Sequence, residues 1–243
     1  LFGGGLCLLQ RRPVAAGILF GLLIYKPHLA LLIPVALLAG REWRAFAAAV
    51  ATVVVVLAAS LFAFGPEIWA DYFRNATLLR QVYLEGETGI WHRMVSVFMA
   101  ARRFGAGIEL AYAIQAATAL AAAVVVALAW ARRAPANIRY SLLMLGAWLA
   151  TPYLMDYDLV ACAFVVAWLA AEARTSPHIS RPAFIVSVLI LVAPIAAGTL
   201  GNLTGLSFGA FFLISAFVLV VATLPATVLQ LPARFARKNP GAA

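Results

Sequence analysis

Apolar stretches long enough to cross a bilayer recur along this chain, and they limit its fold more than any other feature. Trp43–Phe64 is 22 residues long, or ~33 Å as helix. A hydrocarbon core ~30 Å thick needs about 20 residues. Gly107–Trp130 is comparable, and Pro182–Leu200 and Ser207–Gln230 follow near the C-terminus. Arg, Lys, Gly or Pro bounds each run. The 243 residues are 65% hydrophobic and only 11% charged, with a mean hydropathy of +0.98. Soluble domains are roughly 45–50% apolar and about 25% charged. A water-soluble globular domain is excluded, and so is disorder, which needs low hydrophobicity. The expected class is an all-α, polytopic transmembrane bundle.

Two further apolar stretches are interrupted. Pro13–Gly40 carries Lys26, Pro27 and His28 in its middle, and Ile138–Ala171 carries the run from Thr151 to Asp158. Proline lacks a backbone donor and disfavours helix in the residue before it. Each flank spans about 12–14 residues, or ~18–21 Å of helix. Each interrupted stretch is therefore expected to be a hairpin of two short helices whose charged turn dips below the membrane surface.

The basic residues set an orientation. With Arg11 and Arg12 on the cytoplasmic side, the trace returns Arg41, Arg44, Arg132, Arg133, Arg139, Arg174, Arg181, Arg234, Arg237 and Lys238 to that side. These are twelve of the 18 Lys and Arg. The net charge of +9 is thus spread over loops, and nucleic acid is not an expected partner. The bilayer is the expected surrounding. The opposite face receives both hairpin turns and an external loop, 65–106. In that loop Ile68, Trp69, Tyr72, Phe73, Ala76, Leu79 and Tyr83 recur at helical spacing, with charges on the other side. This predicts an interfacial amphipathic helix, followed by a mobile turn over 84–89. Residues 231–243 are expected to be a cytoplasmic tail. The chain opens inside an apolar stretch, Leu1–Leu9, and is read as one transmembrane domain and a C-terminal fragment of a longer protein.

The charges left on the external face are the candidates for chemistry. Lys26 would cost about 2.5–3.5 kcal/mol at mid-membrane, and such residues are functional candidates by default. Lys26 beside His28 suits a phosphate, a point charge plus a ring donor; Arg93 can add to that anionic site. Asp156 and Asp158, flanked by Tyr153 and Tyr157, can orient sugar hydroxyls, act as a base or hold a cation. No further ligand supports a metal, and no cofactor is expected. Trp91 and His92 precede Arg93, as an interfacial anchor or as contacts to a sugar or acceptor. Cys7 and Cys162 match no metal or redox spacing.

Several of these stretches resemble glycosyltransferase family 87. They are Gly17 to His28 with the following run to Arg41-Glu42-Trp43-Arg44, the Trp69 loop with Met94 to Phe98, and Thr151 to Leu159. The similarity extends over about residues 10–230. It implies a GT-C-type fold and an integral membrane hexosyltransferase. Such an enzyme takes a mannose-like sugar from a polyprenyl phosphate to a lipid-linked or cell-envelope glycan on the extracytoplasmic face of the cell membrane. It also implies that the general base is an acidic residue on an external loop upstream of residue 1, so the catalytic base is left unassigned here and activity of the fragment is in question. Lys26, His28 and Arg93 would hold the donor phosphate. Asp156, Asp158, Tyr153, Tyr157, Trp91 and His92 would contact sugar or acceptor. The rival reading is a secondary transporter or permease, whose broken helices also carry charges.

Overall fold

The computed structural model describes residues 1–86 and 89–229; the expected tail at 231–243 lies outside them. Twelve helices follow in order: α1 (Phe2–Leu8), α2 (Pro13–Gly21), α3 (Ile33–Ala39), α4 (Trp43–Phe64), α5 (Glu67–Leu79), α6 (Val97–Arg103), α7 (Ile108–Ala131), α8 (Ala136–Ala150), α9 (Ala163–Thr175), α10 (Ser180–Thr204), α11 (Gly209–Val221) and α12 (Ala226–Leu229). Among the described residues there is no strand, and the one isolated bridge joins Met94 to Met155. Among the described residues three helices are long and apolar enough to span a membrane, at Trp43–Phe64, Ile108–Ala131 and Pro177–Thr204. The chain is an all-α membrane bundle.

Both interrupted stretches form the expected broken hairpins. A 3-10 turn, Leu22–Tyr25, extends α2, and another, Pro27–Ala30, leads into α3. Between them Lys26 takes a non-helical backbone, φ −133° and ψ 68°. Proline at the next position disfavours the helical region for it. At the second hairpin Thr151, which precedes Pro152, is extended at φ −100° and ψ 135°, and the chain re-enters helix through a 3-10 segment, Asp156–Cys162.

The core is centred on α8, which is buried from Ile138 to Ala150 and is enclosed by α7, α9 and α11. Trp148 and Trp130 are its largest fully buried side chains. One amide knits this core to α6. Gln115, on α7, accepts from the Phe98 N–H at 2.9 Å and donates to the Leu149 carbonyl at 2.8 Å. In an apolar surrounding both backbone groups need such a partner.

The first hairpin packs on α4 through small residues. A Cβ at Gly17 would overlap the Ala45 carbonyl oxygen, and one at Gly21 would overlap Thr52. Close backbone approach of this kind is how helices associate where lipid removes the hydrophobic drive. The obstacle at Gly17 is backbone, which cannot rotate away. Gly17→Ile is therefore expected to destabilise the chain by about 2–3 kcal/mol, read as a lower midpoint of thermal unfolding in detergent. An unchanged midpoint would disprove this packing.

Two spans differ from expectation. The helix begun before Pro182 runs on to Thr204, with Pro194 inside it, and ends on Gly205 in the left-handed conformation, φ 73°. Ser207–Gln230 is not one span. Helix α11 stops at Val221, the chain turns at Ala222–Leu224, and Pro225 precedes the short α12. The stretch is apolar throughout, so hydropathy misses the break; Pro225 supplies it, since proline cannot close the helical hydrogen bond. The expected amphipathic helix is α5, with no buried residue and an aromatic cluster of Trp69, Tyr72 and Phe73. It continues into a π-helical turn, Arg80–Glu85. Of the turn expected over 84–89, Glu87 and Thr88 fall outside the described residues.

Candidate functional site

The two hairpin turns, 132 residues apart in sequence, meet. Lys26 Nζ donates to Asp158 Oδ1 at 2.7 Å, with Lys26 29% exposed and Asp158 5% exposed by side chain. Each turn alone would leave a charge in an apolar setting, which costs several kcal/mol per ion. Together each supplies the other's counter-ion.

Asp158 is held on every side. Its Oδ2 accepts from the Met155 N–H at 3.3 Å, closing its own 3-10 turn. Its backbone carbonyl accepts from Trp148 Nε1 at 3.2 Å, which anchors the turn to the core helix. Each Asp158 carboxylate oxygen thus accepts one hydrogen bond from within the fold. Its geometry fits aiming the Lys26 ammonium.

The segment between α5 and α6 supplies the third side. Val95 N–H donates to the Leu154 carbonyl at 3.0 Å beside the Met94–Met155 bridge, so the segment after Arg93 lies antiparallel to the second turn. This places Arg93 on Asp156 in a bidentate pair, Nε to Oδ2 at 3.1 Å and Nη2 to Oδ1 at 3.0 Å. The paired carboxylate holds the Arg93 guanidinium above its ordinary pKa, so it stays cationic at any working pH. Tyr157 lies beneath both cations, with Lys26 Nζ 4.7 Å and the Arg93 guanidinium 5.8 Å from its ring. His28 and Tyr83 each set their rings against Tyr153, at 5.9 and 6.1 Å. Lys26, His28, Arg93, Tyr153, Asp156, Tyr157 and Asp158 thus form one cluster.

Trp91 and His92 stand apart from it. Their rings contact each other at 5.9 Å, and both lie against Gly201 near the end of α10. The Arg103 guanidinium stacks on Trp91 at 4.0 Å while its Nε donates to the Gly205 carbonyl at 2.9 Å. That is the geometry of a structural anchor for the loop.

Two openings flank the cluster. One is an apolar cavity of about 500 Å³ between the first hairpin, α4 and α5, whose wall includes Tyr25, Pro27, Leu57, Trp69 and Tyr72. The other, about 470 Å³, is lined by Arg93, Asp156 and Tyr157 on one side and by Ile190, Leu191 and Pro194 of α10 on the other. Among the described residues no group of three or more His, Cys, Asp or Glu could hold a metal ion.

Sequence reasoning named the cluster's charges but missed Tyr83, Gln115 and the pairing of 94–95 with 154–155. A lone amide inside an apolar span was the only visible signal for Gln115.

The model of glycosyltransferase family 87 matches residues 1–152. The chain belongs to glycosyltransferase family 87. The match takes in Lys26, His28, Trp91, His92 and Arg93, and stops short of Asp156 and Asp158. No curated protein and no solved structure matches the chain. As a member of family 87 it is a membrane glycosyltransferase.

Proposed function

We propose that this family 87 chain transfers a mannose-like hexose from a polyprenyl phosphate donor to a lipid-linked or cell-envelope glycan, on the extracytoplasmic face of the cell membrane. The observation that carries the reading is the convergence of both hairpin turns and the 80–96 segment on one cluster of two carboxylate-held cations. A donor dissolved in the outer leaflet presents its phosphate at the depth of a shallow intramembrane turn. The apolar cavity under α5 opens beside Tyr25 and Pro27 and suits the prenyl chain. The phosphate then lies near Lys26, with His28 as a further donor and Arg93 across Tyr157.

In the transfer step an acceptor hydroxyl oxygen bonds to the anomeric carbon, and its proton passes to a carboxylate base or to the departing phosphate. The carbon–oxygen bond to the phosphate breaks, and the phosphate departs with the electron pair. Charge therefore grows on the phosphate as it leaves. Preorganised cations aimed at developing charge supply the largest single contribution to most such reactions. Lys26 and Arg93 are preorganised because Asp158 and Asp156 hold them in place before any ligand arrives. Asp156 is the less enclosed of the two carboxylates, 23% exposed against 5%. It lines the second cavity with Tyr157 and is positioned for sugar or acceptor hydroxyls.

The test is a transfer assay. The full protein in bilayers is given polyprenyl-phosphate mannose labelled in the sugar, together with a glycolipid extract of the envelope. The expected result is label in a glycolipid product. Uptake of a labelled solute into vesicles, unaffected by the donor and with no labelled lipid formed, would replace this reading with a permease.

A further inference from the structure

A further opening, shallow and rimmed by arginines, lies at the opposite end of the first hairpin. It measures about 430 Å³ and is lined by Arg11, Arg12 and Arg44 together with Pro13, Val14 and Ile18. Helix α2 climbs from here to the Lys26 turn, so the cavity opens on the bilayer face away from the candidate active site. Among the described residues none of the three arginine side chains has a hydrogen bond or ion pair with another side chain. Glu42, the acid nearest to them in sequence, takes a hydrogen bond from Gln10 at 3.5 Å.

We infer that this cavity binds the phosphate headgroup of an anionic phospholipid from the leaflet opposite the active site. The preference of Lys and Arg for one membrane face explains why cations occur here. It does not explain why three of them share one cavity with an apolar wall. That combination matches a phospholipid, whose phosphate takes the guanidinium donors in a planar fork. Its acyl chain continues along Val14 and Ile18, which are exposed at 47% and 43%.

The backbone adds to the field. Helices α2 and α4 start side by side and run parallel, in contact at Gly17 and Ala45. Neither has a side-chain cap at its N-terminus. The Val14 and Ala15 N–H groups belong to the first turn of α2, which has no earlier helical carbonyl to meet. Two aligned positive helix ends lie beside the three arginines. Basic pockets between membrane helices are the recognised setting for anionic lipid headgroups.

The experiment is native mass spectrometry of the protein released from nanodiscs of phosphatidylcholine and phosphatidylglycerol in equal parts. The unaltered protein should retain phosphatidylglycerol in preference. The triple variant Arg11→Gln, Arg12→Gln, Arg44→Gln should lower the retained ratio of phosphatidylglycerol to phosphatidylcholine at least ~tenfold. Val14→Asp removes no cation but places a carboxylate on the wall, and should lower it in the same direction. Arg133→Gln, Arg174→Gln, Arg181→Gln removes equal charge from positions as exposed as Arg11, Arg12 and Arg44 but outside the cavity, and should leave the ratio unchanged. An equal loss in that control, or no loss in the first triple, would overturn the site. Release of the lipid by millimolar inorganic phosphate alone would overturn the headgroup assignment in favour of a free-anion site. Sugar transfer is not the readout, so failure here is separate from failure of the proposed function.

Discussion

Replacing Lys26 by Ala is expected to lower sugar transfer from the polyprenyl phosphate donor at least tenfold, about 1.4 kcal/mol of transition-state stabilisation. Lys26 carries the cation nearest the seam between the two hairpins, and its ammonium is 29% exposed by side chain. That is open enough to meet a ligand and enclosed enough for its charge to be weakly screened. The substitution also strands Asp158 in a buried position without its counter-ion, so the single variant mixes two effects. The double variant Lys26→Ala, Asp158→Asn separates them. The neutral amide removes the unpaired buried charge, and the unfolding midpoint should recover most of its loss. Activity should stay low, because no ammonium faces the phosphate. Transfer by the double variant at the rate of the unaltered protein, at both limiting and saturating donor, would eliminate Lys26 as the phosphate-binding group.

Asp158→Ala is expected to be the most destabilising substitution in the cluster. Removing one partner of a buried ion pair typically costs about 3–5 kcal/mol. Lys26 can extend toward water along its stem, which puts the expected loss at about 3 kcal/mol. For a chain of this size that is a fall of about 6–12 °C in the unfolding midpoint. The Met155 N–H would lose its acceptor as well. Asp156→Ala should behave differently. Its partner Arg93 is exposed, and exposed pairs contribute about 0–1 kcal/mol. The midpoint should barely move, while the KM for sugar donor or acceptor should rise. Differential scanning fluorimetry of the two variants in the same detergent makes the comparison. Equal, small shifts for both would refute the buried pairing of Lys26 with Asp158 and return Asp158 to the role expected from sequence, a direct sugar contact.

The contrast between the two aspartates shows where sequence reading stopped. Asp156 and Asp158 are two residues apart, flanked by tyrosines, and look equivalent as letters. They differ because the 3-10 turn over Asp156–Cys162 rotates one carboxylate inward to Met155 and Lys26 and the other outward to Arg93. Trp91 and His92 make the same point in reverse. They adjoin Arg93 in the chain, yet the 3-10 turn Trp91–Arg93 directs them to α10 and away from the cluster. One residue of helical rotation separates a contact from an anchor, and composition does not record rotation.

The sequence by itself determined the membrane bundle, the two broken hairpins and the amphipathic helix. These follow from local properties: run length against bilayer thickness, proline in mid-run, and the spacing of apolar residues. It also singled out the charges worth attention, because a charge in an apolar run is costly wherever the run ends up. Only the tertiary structure decided that Lys26 meets Asp158 and that Arg93 meets Asp156. It alone separated Trp91 from the cluster. Those outcomes depend on which helices pack together: Gly17 and Gly21 bring α2 onto α4, and Gln115 and Val95 fasten the loop to the second turn. Pairing across 132 residues is a property of packed surfaces, and one chain read in order carries no periodicity that reports it.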